Sequence, residues 1–583
     1  MPIYRILSHV SHVLVAGVVA DGGEEAEDVA VDELGGGGAV RVAEMNAEYR
    51  GPEDLAVLLP DVLVDHAAPI FATQYGHSGH DQRAIHGHDV DRPPSVQNPS
   101  KDIALMTFSE WLWHFFPKNF LFTSVLNEMN RVDETLLLTE RELGVWLGLH
   151  FCMSMYPGNP RAKFWSLTER TVYDNAPYLG EAMSRLRFEK IEKGFHMPKQ
   201  VHSVFPDFED KFAEVRNLQD AWNAHMRMYG IVPSSHNCLD ESMNPNHNPL
   251  TPGWQFVPRK PHPMGNMAHT IACGFCNIIW QIELYEGKDR PAHLPMLLYD
   301  VDFATSTSNG AIGGLMMRMT ERIWGTAGIC VFDSHFSSLK ACIAMKKKGL
   351  YADAYIKMNG QNWPQHSHGK ENELHMHAAA VPYCTSSALQ GVWDEVPFHV
   401  AMFKDTAYVG MMFSTHGAPG LKKGVQQNRR HPIAAVPPNP TIHFQHDVNF
   451  WSYYFARASV DTNNHMRQGD LSLEAGWPTY NWVLKIFTFY LAVAETNACM
   501  AYNFFVIKPA GRKRITLHEF RKVLTKELME NTLQGEVVVR RRVRGDAAAL
   551  SADATHALKQ KPCFAGRCLG ARREGHAFVH VFW

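Results

Sequence analysis

Three features that would indicate the class of protein directly are missing from this sequence: a membrane-spanning run, a strong net charge and a regular cysteine spacing. No run of about 18 apolar residues, the length that a membrane-crossing helix needs, occurs in the 583 residues. The formal net charge is −4, so bulk charge does not indicate a nucleic-acid-binding protein, and a basic surface would have to come from local clusters of lysine and arginine. The 10 cysteines follow no regular spacing, which excludes a disulfide scaffold and favours a reducing compartment, the cytoplasm or nucleus.

The first 104 residues contain few segments with a sustained apolar period. The short apolar run His12–Ala20 has only Arg5 as a basic flank and an acidic segment after it, so we interpret it as non-secretory. An acidic, glycine-rich patch and a stretch rich in His, Asp and Pro follow. This composition predicts a disordered or irregular region over 1–104, and a mispredicted gene start is the alternative.

Apolar periodicity then predicts alternating helical and mixed regions. Residues 105–230 are expected to be a helical domain, with Thr139 and Glu142 as a capping box for one helix. Residues 231–370 alternate between strands and helices: the run HTIACGFCNIIWQIELYEG predicts a hairpin, GICVF a strand ending at Asp333, and AYIKM a further strand. A helix between these last two strands should end at Gly349, after three lysines. This alternation predicts an α/β core.

The remaining chain divides into three parts. Residues 371–440 are interpreted as an insertion that holds a second hairpin, FHVAMFKDTAYVGMMFST. Residues 441–505 return to helix, and the long apolar segment there contains Lys485 and Glu495, which favours a buried core helix over a membrane span. Residues 506–583 are basic and are expected to be loosely ordered.

Three local sequences carry aspartates that could hold metal ions: HNCLDESM with Asp240, GICVFDSHFSSL with Asp333, and FARASVDTNNHMRQG with Asp461. Cutting and joining phosphodiesters requires an activated water or 3′-hydroxyl and a stabilised leaving oxygen, and two Mg²⁺ ions held by carboxylates can supply both. Taken singly, an aspartate at the end of a strand more often serves a turn or a helix cap. Spacing alone cannot pair three aspartates so far apart in sequence.

These blocks together resemble a known family. LDESM, KPHPMGN…HTIACGF…IELYEGKDRP, CVFDSHFSSLKA…KKKGLYADAYIKMNGQNWP and VDTNNHMRQ…GWPTYNW are similar, in order and spacing, to the catalytic blocks of piggyBac-type transposases over roughly residues 105–530. The resemblance implies a ribonuclease-H-like catalytic core with an insertion, flanked by a helical dimerisation and DNA-binding domain. The core would comprise residues 231–370 and 441–505.

The resemblance also implies a site and a reaction. Asp240, Asp333 and Asp461 match the family's three catalytic aspartates, which would bind Mg²⁺ or Mn²⁺, two ions in all. The implied activity is cut-and-paste transposition on double-stranded DNA, with nicking of transposon ends, a hairpin intermediate and joining to a TTAA-like target, by a homodimer in the nucleus. Asn464 stands where many members have another aspartate. Glu241 should point away from the metals if its segment is a strand. The alternative is a transposon-derived DNA-binding protein that has lost cleavage.

Several basic clusters are candidate DNA contacts, because phosphates are neutralised by surface lysine and arginine. They are Arg259 and Lys260; Lys346, Lys347 and Lys348; Arg429 and Arg430; and Arg512, Lys513 and Arg514. Each also has an interpretation as a solvated helix end or loop. A further run, Arg540, Arg541, Arg542 and Arg544, could be a nuclear signal or a nonspecific DNA arm.

Two other motifs suggest zinc or another transition metal but have simpler explanations. Cys273 and Cys276 have C-x-x-C spacing without a second pair nearby, so a buried structural pair is favoured. His366, His368, His375 and His377 are interpreted as an irregular His-rich loop. Many family members end in a Cys-rich zinc domain, whereas this chain has only Cys563 and Cys568 in its tail. Two cysteines cannot fill a four-ligand site, so no complete structural zinc site is expected.

Overall fold

The computed structural model describes residues 63–64, 92–167, 175–200, 210–258, 260–287, 301–302, 307–308, 310–356, 380–393, 395–405, 408–416, 421–432 and 440–530. The α-helices in these ranges are α1 (Phe108–Phe115), α2 (Leu126–Val132), α3 (Glu140–Ser154), α4 (Arg185–Lys193), α5 (Ala213–Met228), α6 (Gly310–Thr320), α7 (Leu339–Lys347), α8 (Val448–Ala456), α9 (Ser459–Arg467), α10 (Leu473–Gly476), α11 (Trp482–Ala501) and α12 (Leu517–Glu530). Short 3₁₀ turns cover Ile103–Leu105, Arg161–Trp165 and Glu321–Ile323, and π-helical segments cover Phe120–Val125 and Tyr502–Ile507.

The strands, in chain order, are β1 (Leu63–Val64), β2 (Ser95–Val96), β3 (Ile231–Val232), β4 (His236–Pro245), β5 (Trp254–Phe256), β6 (Met264–Cys273), β7 (Ile279–Leu284), β8 (Val301–Asp302), β9 (Thr307–Ser308), β10 (Ile329–Phe332), β11 (Tyr351–Tyr355), β12 (Thr385–Trp393), β13 (Val396–Lys404), β14 (Val409–Ser414), β15 (Gln427–Arg430) and β16 (Thr441–Phe444). The predicted hairpin around Cys273 is β6 and β7, and the second predicted hairpin is β13 and β14.

One large mixed sheet organises the described residues. Its strand order is β1-β12-β13-β14-β11-β10-β4-β6-β5, with β7 also paired to β6. β10 pairs in parallel with both β4 and β11, and the other pairs in this sheet are antiparallel. β4, β10 and β11 are buried along most of their length, as expected for central strands that helices cover on both faces. The predicted α/β class is therefore confirmed at the level of a mixed α/β fold.

The strands from the predicted insertion extend this sheet. β14 pairs with β11, and β13 and β12 follow outward from it. β15 and β16 form a separate two-stranded ribbon. The hairpin therefore continues the sheet edge, while the domain boundaries at residues 371 and 440 stay predictions.

Helix ends in the described part of residues 105–230 follow local capping chemistry. Thr107 with Glu110 and Thr139 with Glu142 both form complete capping boxes, which satisfy the first backbone N–H groups of α1 and α3. The predicted cap at Thr139 is confirmed. From Leu143 to its end at Ser154, α3 is buried on every side.

The strand predicted from AYIKM begins three residues earlier than expected. Gly349 adopts φ +74° and ends α7 after Lys346, Lys347 and Lys348, which agrees with the predicted cap. Tyr351 N then donates to Gly328 O at 2.8 Å, so pairing with the β10 edge starts two residues after the cap. β11 therefore runs from Tyr351 to Tyr355, and residues 357–360 lie outside the described ranges.

The long apolar helix α11 lies inside the protein. The segment Trp482–Ile507 is long and apolar enough to cross a membrane by composition, yet its most apolar window is 100% buried. Lys485 Nζ donates to the backbone oxygens of Glu474 and Trp477 at 2.8 and 3.2 Å. Both charged residues of α11 have polar partners, because Glu495 accepts from Arg521 Nε at 2.6 Å. These partners explain how a core helix carries two charges.

An ordered helix replaces part of the predicted loose tail. α12 covers Leu517–Glu530 and buries Phe520, Leu524 and Leu528. It packs against α3 at Gly148, where an added Cβ would lie 2.9 Å from Met529 Cγ and 3.1 Å from Leu528 Cβ. The expectation of a loose tail was wrong for α12, because its apolar stripe is needed to cover α3. Residues 531–583 lie outside the described ranges.

Candidate active site

The parallel strands β4 and β10 bring two of the three predicted aspartates together, one on β4 and one directly after β10. The register of β4 and β10 pairs Leu239 with Phe332, so Asp240 and Asp333 each follow one member of that pair. Asp333 is the first residue after β10, and its carboxylate accepts the backbone N–H of His335 at 2.7 Å, as in an Asx turn. Parallel pairing therefore brings two residues 93 positions apart to adjacent places in the sheet.

Asp461 approaches the same place from a helix. It lies in the first turn of α9, whose buried side carries Val460, Asn463 and Arg467 at helical spacing. Asp461 itself is exposed. A carboxylate in the first turn also suits the positive end of the helix dipole.

The structure brings all three aspartates to one pocket of about 440 Å³. The other residues lining this pocket, which we call the aspartate pocket, are Cys238, Lys260, Val331, Phe332, Tyr453, Arg457 and Ala458. The lining combines three carboxylates with two cations beside the carboxyl end of β10. Such a set can hold a divalent cation on one side and a phosphodiester on the other.

The side chain of Asp240 is largely removed from solvent, with 15% of it exposed. Burial raises its pKa to about 7, and the negative charges of Asp461 and Asp333 act in the same direction. The Lys260 ammonium and the backbone N–H of Glu241, 2.7 Å from Asp240 Oδ1, oppose this shift. The raised pKa of Asp240 therefore reflects its burial first and the neighbouring carboxylates second.

Lys260 lies between two acidic groups. Its Nζ is 3.0 Å from Glu241 Oε2 and 4.0 Å from Asp240 Oδ1. Burial disfavours the charged ammonium, but the carboxylates of Asp240 and Glu241 outweigh this and raise its pKa. Lys260 therefore supplies a local positive charge to the acidic pocket.

Glu241 lies beside the aspartate pocket rather than in it. Strand alternation keeps it out of that lining, as expected. It instead lines an adjoining pocket of about 560 Å³, together with Lys260, Asp461 and Asn464. His335 Nε2 is 3.9 Å from Glu241 Oε1. The sequence predicted that Glu241 points away from the metals, whereas its ion pair with Lys260 connects it to the site.

Asn464, the departure from the family pattern, links α9 to β4. Its Oδ1 accepts from Ser242 Oγ at 2.8 Å and from the Arg467 guanidinium at 3.0 Å. Its Nδ2 donates to the backbone oxygen of Glu241 at 3.2 Å. An amide supplies both a donor and an acceptor here, which a carboxylate cannot.

Arg467 holds the carboxyl end of α9 against β4. Its guanidinium forms a buried ion pair with Glu474 and donates to the backbone oxygen of Met243 at 3.0 Å. Gln468 Nε2 donates to the same oxygen at 2.6 Å. The pattern M-R-Q in the third block is the sequence signal for these contacts, which hold the helix that carries Asp461 against the strand that carries Asp240.

The donor set fits a hard divalent cation. The carboxylate oxygens of three aspartates match the ligands that Mg²⁺ and Mn²⁺ take. Across the described ranges, however, no three His, Cys, Asp or Glu side chains converge closely enough to hold one ion together. The three carboxylates thus line the pocket but are not positioned to bind one common ion.

The predicted basic residues fall in different places. Lys260 lies in the site, and Arg259 lies outside the described residues. Lys346, Lys347 and Lys348 end α7 beside the amino end of β10, because Gly325 N donates to Lys348 O at 2.8 Å. Asp333 follows the carboxyl end of that strand, about 13 Å away along four residues. The structure therefore does not bring these lysines to the aspartate pocket.

Lys346 already has contacts within the fold. Its Nζ donates to Thr415 O at 3.0 Å and lies 3.9 Å from the centroid of the Tyr351 ring.

The other two basic clusters lie on the surface. Arg429 and Arg430 are exposed on the β15 ribbon, and Arg429 Nε is 3.6 Å from Asp405 Oδ1. Arg512, Lys513 and Arg514 are exposed just before α12.

Of the motifs that suggested a transition metal, one is described by the structure and the others lie outside the described ranges. Cys273 and Cys276 are buried free thiols, and Cys273 Sγ donates to Ser234 Oγ at 3.2 Å. They form the structural pair that was favoured from the sequence. His366, His368, His375, His377, Cys563, Cys568 and the arginine run at 540–544 lie outside the described ranges.

Two comparisons show which known proteins this chain is similar to. A family model described as Transposase IS4 matches residues 109–499, a segment that contains all three aspartates. Among solved structures, a cryo-EM structure of piggyBac transposase in a synaptic complex with hairpin DNA is similar, with a TM-score of 0.54 and 14% sequence identity. The match covers 82% of this chain and 93% of that chain. At this identity, the structural match supports the fold alone.

Proposed function

The chain belongs to the piggyBac-type transposase family, and we propose that it cuts double-stranded DNA and joins the ends to a new target in a metal-dependent reaction. The observation that carries this proposal is the meeting of Asp240, Asp333 and Asp461 in one pocket. They come from β4, the end of β10 and the first turn of α9. Metal chemistry on DNA needs such a set of carboxylates from separate elements, whereas the stability of the fold does not.

The sheet supports a ribonuclease-H-like core. Three antiparallel strands, β4, β6 and β7, continue through the parallel strands β10 and β11. The first aspartate lies on the central strand of this group and the second at the end of the strand beside it. The helical segment α9 closes the site from one face.

The roles of the residues follow from their positions. Asp240, Asp333 and Asp461 would together hold two Mg²⁺ or Mn²⁺ ions. When bound, these ions activate the attacking oxygen and stabilise the leaving oxygen of the phosphodiester. Lys260 would offset the negative charges of Glu241 and Asp240 beside the ions. Asn464, Gln468 and Arg467 keep α9 in register with β4.

The proposed reaction is cut-and-paste transposition. Water attacks a phosphodiester at the transposon end and leaves a 3′-hydroxyl. That hydroxyl attacks the opposite strand to form a hairpin, which a second water opens before the ends join a TTAA-like target. We propose a homodimer acting in the nucleus. The similar piggyBac transposase structure is a synaptic complex with hairpin DNA, which supports a hairpin stage in this scheme.

A second candidate function is a transposon-derived DNA-binding protein without cleavage. Two observations favour it: no three acidic, His or Cys side chains within the described ranges converge on one point, and the pKa of Asp240 is raised to about 7 by burial. A carboxyl that holds its proton near neutral pH competes poorly for a metal ion. DNA cleavage distinguishes the two functions, because only the transposase would cut DNA.

The test is metal-dependent nicking by the full chain. Supercoiled plasmid is incubated with the protein and Mg²⁺ or Mn²⁺, and nicked circles are quantified. Asp333→Asn should abolish nicking while DNA binding, measured by gel shift, stays within about twofold. Asp470→Asn removes an exposed carboxylate three residues beyond the end of α9 and serves as the matched control. Nicking that survives in Asp333→Asn would remove Asp333 from the mechanism, and binding without nicking by the parent chain would favour the second function.

A further inference from the structure

The aspartate pocket contains a second cation that no sequence motif singled out. Arg457 lies in the connection between α8 and α9, four residues before Asp461. It lines the aspartate pocket and is exposed to solvent. It therefore faces whatever enters the pocket from outside.

The two cations of the pocket differ in their partners. Lys260 is engaged by Glu241 at 3.0 Å and lies 4.0 Å from Asp240. The described residues give Arg457 no carboxylate partner; its guanidinium carbon lies 5.0 Å from the Tyr454 ring centroid and 5.9 Å from that of Tyr453. The charge of Lys260 is thus largely neutralised within the protein, whereas that of Arg457 is not.

The tyrosines hold Arg457 in place without neutralising it. Tyr453 is 6% exposed, and its ring stacks on Tyr355 with centroids 5.4 Å apart. The Tyr453 and Tyr454 rings meet edge to face at 5.6 Å. A guanidinium over aromatic rings keeps its full charge and its planar set of donors, so it is ordered before a ligand arrives.

Arginine in such a setting recognises an anion with paired oxygens. Carboxylates line the same pocket, yet none described forms an ion pair with Arg457, which leaves its donors for an incoming group. A phosphodiester presents two non-bridging oxygens at the spacing that a guanidinium matches with two hydrogen bonds. The exposure of Arg457 at the pocket opening fits a long backbone better than a small enclosed ligand.

We propose that Arg457 binds a backbone phosphate of the DNA strand held in the aspartate pocket, with Tyr453 and Tyr454 positioning its guanidinium. This rests on the proposed function, because it names the residue that holds the substrate of the same site. Lys260 stays with Glu241, and Arg457 makes the contact on the α9 side of the pocket.

The test measures DNA binding separately from cleavage. Arg457→Gln and Arg457→Lys are made in the full chain, with Arg131→Gln, an exposed arginine on α2, as the matched control. Affinity for a duplex of about 30 base pairs is measured in EDTA over a range of salt concentrations. Loss of one phosphate contact should reduce the slope of log affinity against log salt by about 0.9. The rate of Mn²⁺-dependent plasmid nicking is measured in parallel.

We expect Arg457→Gln to lose about 0.9 of the salt slope and to slow nicking at least tenfold. Arg457→Lys should keep the slope, because the charge remains, but lose part of the nicking rate, because a lysine cannot bind two oxygens at once. An unchanged slope and nicking rate in Arg457→Gln, with the parent chain active, would overturn the proposal alone. A parent chain that binds but never nicks would overturn the cleavage function, while the salt slope would still decide the role of Arg457.

Discussion

Asp240 on β4 and Asp333, the first residue after β10, lie at adjacent positions, because their preceding residues, Leu239 and Phe332, are register partners. This relationship makes the separation of the two carboxylates a property of the sheet rather than of a loop. Backbone hydrogen bonds of β4 and β10 hold it in place. Asp461 is held differently, since its distance from the other two depends on how α9 docks. Substitutions in the strands and in α9 should therefore have different effects.

The stability of the protein in the absence of metal should depend on the ionisation of Asp240. Its folded pKa, raised by burial to about 7, exceeds the ordinary value of 3.8. Between these two values the folded protein holds a proton that the unfolded chain has released. The contribution of Asp240 to the free energy of unfolding therefore falls as pH rises from about 4 to 7, by up to about 4 kcal/mol.

Asp240→Asn removes this dependence. In EDTA, we expect the melting temperature of the variant relative to the parent to increase between pH 5 and pH 8, with the variant the more stable at pH 8. Asp470→Asn, at an exposed carboxylate, should show no such trend. A variant that gains nothing between the two pH values would show that Asp240 ionises without cost in the folded protein.

Lys260 should compete with a divalent cation for the acidic pocket. Its ammonium lies 3.0 Å from Glu241 and 4.0 Å from Asp240, so an ion that binds Asp240 meets a positive charge. Lys260→Gln should therefore show a larger rise in melting temperature on adding Mg²⁺ than the parent does. Lys101→Gln removes a surface ion pair with Glu110 and is the control. An equal rise in Lys260→Gln would show that the lysine does not compete with the ion, and a smaller rise would mean that it assists the ion.

Asn464→Asp should restore the acidic residue found in many family members but weaken the docking of α9. The Nδ2 donor to the Glu241 backbone oxygen is lost, and two oxygens would face each other at 3.2 Å. We expect a loss of about 1–3 kcal/mol, measured as a lower midpoint of urea denaturation. Thr462→Asp places a carboxylate at an exposed position of the same helix, where the helix dipole tolerates it. An unchanged midpoint in Asn464→Asp would show that the amide donor is dispensable.

The buried pair of Arg467 and Glu474 should stabilise the fold as a pair only. Arg467→Met leaves Glu474 buried without its partner, which costs about 3–5 kcal/mol. The double variant Arg467→Met with Glu474→Met should recover most of that loss, because both charges are gone. Urea denaturation measures both effects, and the plasmid assay reports whether α9 still presents Asp461. Additive losses in the double variant would contradict the coupling.

The sequence predicted elements whose signals are local. The cap at Thr139, the lysines before Gly349 and the two hairpins all follow from residues close together in the chain. The position of Asp333 after β10 also follows from a short apolar run that ends at a polar residue. In contrast, β11 was placed three residues late, because its start depends on the pairing of Tyr351 with Gly328 across the sheet.

Contacts between distant segments could not be predicted in this way. The ion pair between Lys260 and Glu241 joins a loop to a strand, and no periodicity encodes it. The candidate basic clusters from the sequence did not include Arg457, which the ends of α8 and α9 place at the aspartate pocket. The three aspartates came from family resemblance, because composition and spacing alone favoured turn or cap roles for each.

The contact of α12 with α3 has a consequence for the growing chain. Gly148 and Met529 touch across about 380 residues of sequence, and Arg521 donates to Ser154 Oγ at 2.8 Å. During synthesis at about 5–20 residues per second, the apolar side of α3 stays exposed for roughly 20–80 seconds, until α12 has been synthesised. Chaperones would meet an incomplete helical region throughout that interval. Any transcript that stops before residue 517 would yield a product with this surface permanently uncovered, and such a product should aggregate or be degraded rather than compete for DNA.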